Sequence, residues 1–130
     1  MGGWWLDTAG AAQGVEPPDA PLAVGRQVFR ALLAGDADGV FALLPSAEQD
    51  APAHEAIARA VAGLAPCQGQ DPPLISHAVT PTHVVVAAVF DPPCGVGAYA
   101  DARACEVSVE LLDGGWRPTL RERPLLRCVP

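Results

Sequence analysis

The 130-residue sequence contains no lysine and no asparagine, and its eight basic residues are all arginine. Fifteen Asp and Glu outnumber them, for a formal net charge of −7. A nucleic-acid-binding domain needs a basic face to displace phosphate counterions, so no nucleic-acid partner is expected. Long apolar runs are missing as well: nothing approaches the ~20 residues of a membrane span, and no membrane partner is expected. No basic residue precedes the short apolar run Trp4-Trp5-Leu6. That argues against an export signal and for a cytoplasmic location, which a start farther upstream would change to a secreted one. Aromatic residues are few, with three Trp, three Phe and one Tyr, so an aromatic-lined pocket for a polycyclic ligand is under-supplied. There is no Gly-x-Gly-x-x-Gly, no phosphate loop and no nucleophile elbow, which disfavours nucleotide cofactors and serine-based acyl transfer. Paired-cysteine and His-x₃-His spacings are also lacking, so neither a metal nor any other cofactor is expected.

What is present suits one domain, since 130 residues suffice for a single hydrophobic core but not for two domains of ordinary size. Leu, Ile, Val and Phe number 32, above the range of disordered chains, while 24 Ala add little buried area each. Thirteen Gly and fourteen Pro assign a large share to loops and turns. Residues 1–20, with Gly2-Gly3, a small-residue run and Glu16-Pro17-Pro18, read as a flexible arm whose Trp4-Trp5 would dock on the domain's own sheet, with a dimer partner or a ligand lid as the alternatives; residues 21–130 read as the domain.

Three helices are expected first. One runs from Pro21, with Asp19 as its cap, to Leu33, with Leu22, Val28, Phe29, Leu32 and Leu33 on one face and Gly35-Asp36 as its stop. A short second helix, capped by Asp36 or Asp38, carries Val40, Phe41, Leu43 and Leu44 up to Pro45. The third spans about Pro52 to Gly63, with Ile57, Val61 and Leu64 at helical spacing. The period then changes. Leu74–Val79 and the β-branched run His83–Phe90 read as strands, a Pro- and Gly-rich loop fills 91–102, and Arg103–Leu112 alternates. Cys105, Val107, Val109 and Leu111 face one way along it, and Glu106, Ser108 and Glu110 the other.

Asp113-Gly114-Gly115 signals a hairpin into a last strand, Trp116–Arg123. A turn on Gly114-Gly115 sets Leu112 opposite Arg117, Ser108 opposite Arg121 and Glu106 opposite Arg123. That register avoids opposing two glutamates and accounts for the excess of arginine in residues 111–130 by cross-strand pairing. Pro118 and Pro124, in or beside this strand, imply a sheet edge or a bulge.

Helices followed by an antiparallel meander make an α+β pattern. The phrase Phe-Arg-Ala-Leu-Leu-Ala-Gly-Asp-Ala-Asp-Gly-Val-Phe-Ala-Leu-Leu-Pro at 29–45 resembles the opening of the nuclear transport factor 2-like superfamily. Leu-Leu-Asp-Gly-Gly-Trp-Arg-Pro at 111–118 is similar to its last hairpin. The resemblance covers residues 21–124. It implies three N-terminal helices packed in a curved antiparallel sheet of about four strands, a cystatin-like cone around a pocket. Members of that superfamily include polyketide cyclases, steroid isomerases, dehydratases and non-catalytic binding or dimerising domains, so the fold alone selects no function.

Catalytic relatives use a general acid or base inside the cone, where burial tunes its pKa. His77, mid-strand between apolar neighbours, and Asp91, before Pro92-Pro93, are the candidates. Trp116, Tyr99, Phe41 and Phe90 are the aromatic side chains available to line a pocket, Tyr99 from the long loop. His83 at a strand start reads as structural, and His54-Glu55 as part of a solvated helix face. The four cysteines leave two readings. They are free thiols in a reducing compartment, or they form Cys94–Cys105 across the loop with Cys67–Cys128 as the second pair in an oxidising one. The functional expectation is a small-molecule-binding or dimerising module, with a small apolar ligand and a homodimer through the sheet. The alternatives are an isomerase-, cyclase- or dehydratase-type enzyme using His77 or Asp91, and an exported, disulfide-stapled interaction domain.

Overall fold

The computed structural model describes residues 20–112, 114–120 and 126–130. The arm with Trp4-Trp5, the Asp19 cap and the expected partners Arg121 and Arg123 therefore lie outside the described residues, as does Pro124. Among the described residues, three helices precede the strands: α1 (Ala20–Leu33), α2 (Ala37–Leu43) and α3 (Ala51–Gly63), with short 3₁₀ turns at Ser46–Glu48 and Ala65–Cys67. In α1, Pro21, Gly25, Val28, Phe29, Leu32 and Leu33 are buried, a stripe at spacings of three, four and one that faces the sheet.

The break between α1 and α2 is built from two residues. Gly35 has φ +76°, and the N–H groups of Gly35 and Asp36 donate to Leu32 O and Ala31 O at 3.2 and 2.9 Å, the Schellman ending that favours glycine. Asp36 then serves as N-cap of α2, its carboxylate accepting from Gly39 N at 2.9 Å. One side chain thus starts the second helix where its own backbone ends the first. We expect Asp36→Ala to cost about 1 kcal/mol in a urea melt, the usual worth of an N-cap. Asp50 caps α3 in the same way, accepting from Ala53 N at 2.9 Å.

Among the described residues the sheet has five antiparallel strands, where about four were expected: β1 (Leu74–Thr80), β2 (His83–Val89), β3 (Ala104–Leu112), β4 (Gly115–Thr119) and β5 (Arg127–Val129). Their order is β1-β2-β3-β4, with β5 also paired to β3. Alternation decides which face is covered. Val84, Val86, Ala88, Cys105, Val107 and Val109 are buried against the helices, while His83, Val85, Glu106, Ser108 and Glu110 on the other face are half-buried. At the centre, α1 crosses so close to the sheet that a Cβ on Gly25 would stand 2.5 Å from Val86 Cγ1.

The hairpin register differs from expectation by two residues. Leu112 faces Gly115 and Glu110 faces Arg117, with Gly114 at φ +85°. An even slip keeps every side chain on its expected face. The continuous last strand is corrected as well: β4 ends at Thr119 opposite Ser108, and Glu106 pairs instead with Arg127 on β5. The chain between them is six residues longer than that stretch of β3 requires.

All four cysteines are bonded, so the free-thiol expectation and the expected pairs are both corrected: the bonds are Cys67–Cys94 and Cys105–Cys128. Cys105 and Cys128 sit directly opposite each other in the β3–β5 ladder. Cys94 belongs to the 91–102 loop, which folds onto the end of α3 rather than over its own strands. There Val96 N donates to Gly63 O at 2.9 Å, and the Tyr99 ring lies where a Cβ on Gly63 would stand.

Candidate functional site

The six sequence-derived site residues do not converge. His77 is exposed in the middle of β1, the outermost strand, opposite Val85; the expectation that it points into an interior is corrected. Asp91 is exposed just past the end of β2, with Arg103 Nη1 at 3.7 Å from its carboxylate. Six residues of strand separate Val85 from Asp91, roughly 20 Å, so the two candidate bases do not meet. Phe90 is 1% exposed and belongs to the core, not to a pocket wall. Tyr99 is the packing partner of Gly63. Phe41 is half-buried and meets the His54 ring edge-on at 5.3 Å. Trp116 pairs with Leu111 and packs against the core, its Nε1 buried without a hydrogen-bond partner. His54, read as part of a solvated face, bridges to α2 through Asp38 Oδ1 at 3.0 Å.

The space that is open lies elsewhere. A cleft of about 750 Å³ runs between the α2–α3 connection and the β3–β4 hairpin. Its apolar lining comes from Ala42, Leu44, Pro45, Ala47 and Leu112; Ser46, Glu48, Gln49 and Arg117 supply the polar part. Pro45 stops α2 and turns the chain into the 3₁₀ turn Ser46–Glu48, which carries these side chains towards β4. The connection is fixed to the sheet by Glu48, whose Oε1 accepts from Leu120 N at 2.7 Å. It is fixed to itself by Gln49, whose Nε2 donates to Leu44 O at 3.0 Å.

Arg117 is the chemically distinctive group. Its cross-strand neighbour Glu110 accepts instead from the Thr119 hydroxyl at 3.2 Å. Among the described residues, the Arg117 guanidinium has no hydrogen bond or ion pair. It leaves five donors in a planar fork free to grip a carboxylate or phosphate. The sequence reading missed this site because it treated Arg117 as one member of a cross-strand charge pair. The only signal available was an arginine beside an apolar hairpin end.

The free edges of the sheet differ. Leu120 N points out of β4 towards Glu48, so by alternation Pro118 presents its hydrogen-less nitrogen on that same edge. This realises the edge position that Pro118 implied. On the opposite edge, Val89 N donates to Pro73 O at 3.0 Å, so Leu74, Ser76 and Ala78 direct their N–H and C=O groups outward. No described helix is long and apolar enough to cross a membrane. In comparisons with known proteins, no family model, no curated protein and no solved structure matches the chain.

Proposed function

We propose that this is a binding module on a nuclear transport factor 2-like scaffold, disulfide-stapled for an oxidising compartment, which holds a small amphipathic anion in the cleft beside Arg117. The observation that carries the reading is the Arg117 guanidinium, without a partner among the described residues, on a cleft whose walls are as much polar as apolar. A cleft of this size falls in the range used for small ligands. An alkyl chain would lie against Pro45, Ala47 and Leu112 while its charged head meets Arg117. Glu48 is engaged by Leu120 N, which lessens its opposition to an anion.

Three helices packed against an antiparallel sheet, and the Gly35-Asp36 break between the first two, support the scaffold reading. Both disulfides support the oxidising compartment. Binding is favoured over general-base catalysis because His77 and Asp91 stand at separate exposed positions, Asp91 beside Arg103.

The test is a titration with decanoate, followed by amide chemical shifts, with decanol as the uncharged control. Shifts are expected to cluster around residues 42–49 and 112–117, and Arg117→Gln should weaken decanoate binding about tenfold or more while leaving decanol unchanged. Equal affinity of wild type and Arg117→Gln for decanoate would overturn the reading.

A further inference from the structure

Resting on the reading above, we propose that the ligand of the Arg117 cleft is a zwitterion, an α-amino acid with an apolar side chain, whose ammonium group is held by Glu48. The cleft carries one charge of each sign, Arg117 and the half-buried Glu48. Among the described residues the two form no ion pair. Two hydrogen bonds draw the neighbouring carboxylates elsewhere. The Thr119 hydroxyl donates to Glu110, the cross-strand neighbour of Arg117, and Leu120 N donates to Glu48 Oε1 at 2.7 Å. Glu48 is thereby held in place before any ligand arrives, with Oε2 left open among the described residues.

The remaining polar lining favours an ammonium group over a plain fatty acid. A carboxylate engages the Arg117 fork with its two oxygens and has no hydrogen to donate. Beyond Arg117, however, the cleft presents acceptors. Gln49 directs its amide nitrogen to Leu44 O at 3.0 Å, which leaves its carbonyl oxygen, and Ser46 adds a hydroxyl oxygen. With Glu48 Oε2 these make three oxygens, the number that the three N–H donors of an ammonium require. A hydroxyl group would donate to only one of them and leave the Glu48 charge unmatched.

The apolar lining places both charges at one end of the ligand. When the ammonium and the carboxylate share a carbon, the whole alkyl chain is free to lie on Pro45, Ala47 and Leu112. Charges at opposite ends would instead stretch the chain between Glu48 and Arg117 and leave that wall uncovered.

The test is a calorimetric titration of the intact, oxidised protein with decanoate, 2-hydroxydecanoate and 2-aminodecanoate, repeated on Glu48→Gln. Glutamine keeps a carbonyl oxygen to accept from Leu120 N, and a thermal melt verifies that this variant is folded. The wild type is expected to bind 2-aminodecanoate about tenfold tighter than either of the other two. In Glu48→Gln the ratio of the amino-acid and decanoate affinities should fall to about one. Equal wild-type affinity for the amino and hydroxy acids, or an advantage that survives Glu48→Gln, would overturn the proposal. Decanoate binding that depends on Arg117 without any gain from the ammonium strikes this inference alone. Decanoate binding indifferent to Arg117 strikes the reading beneath it as well.

Discussion

Reducing both disulfides is expected to unfold the domain near physiological temperature. Cys67–Cys94 closes a separation of 27 residues and Cys105–Cys128 one of 23. In the chain-entropy picture each bond stabilises by about 3.5 kcal/mol. Together they contribute ~7 kcal/mol, comparable with the ~5–15 kcal/mol that separates a whole domain from its unfolded state. The two bonds also reinforce elements at the margin of the core. Cys67–Cys94 anchors the 91–102 loop to the end of α3, and Cys105–Cys128 fixes a strand of three residues to β3. Melts of the paired variants Cys67→Ala/Cys94→Ala and Cys105→Ala/Cys128→Ala should each show a fall of roughly 10–15 °C. Fully reduced protein should lack a cooperative transition at 37 °C. A melting temperature unmoved by reductant would show that the helix–sheet core is sufficient alone.

The second large effect is expected at Gly25. Alanine there gains about 1 kcal/mol of helix propensity. Its Cβ, however, would enter the space of Val86, whose three side-chain carbons lie within 2.8 Å of that position. Val86 is fully buried in the central row of the sheet and has nowhere to retreat. Overpacking costs typically ~1–3 kcal/mol, so Gly25→Ala should destabilise slightly and Gly25→Leu by about 3 kcal/mol or more in a denaturant melt. A stabilised Gly25→Ala would mean that α1 rides higher on the sheet than described. Comparing Gly25→Ala with Ala23→Gly, at an exposed site of the same helix, separates propensity from packing.

Local signals carried most of the helices and strands. Asp36 and Asp50 cap where capping residues precede apolar stripes, and Gly35 takes the left-handed φ that a helix stop favours. Val84–Val86 and the alternation of 105–111 gave strand type and face correctly, because burial on one side leaves a period-two imprint. Non-local facts left weaker marks. For the hairpin register charge pairing favoured the wrong choice by two residues, since arginine at several alternate positions offers a partner in more than one register. The disulfide pattern depended on where the 91–102 loop folds, and the Gly63 surface that receives Tyr99 leaves no periodic trace. The strand Arg127–Val129 is too short for its own pattern. The cleft beside Arg117 arises from two segments some 70 residues apart, and what marks Arg117 there is the absence of a partner, which a sequence cannot display.

The unequal edges of the sheet also set a limit on growth. A protein with two open edges can add copies at both ends and propagate into a filament, as edge-exposed sheets tend to do. Here Pro118 offers no hydrogen on the β4 side, Leu120 spends its own on Glu48, and β5 beside them is three residues long. Among the described residues, strand addition is therefore confined to the β1 border, and the sheet cannot grow from both ends.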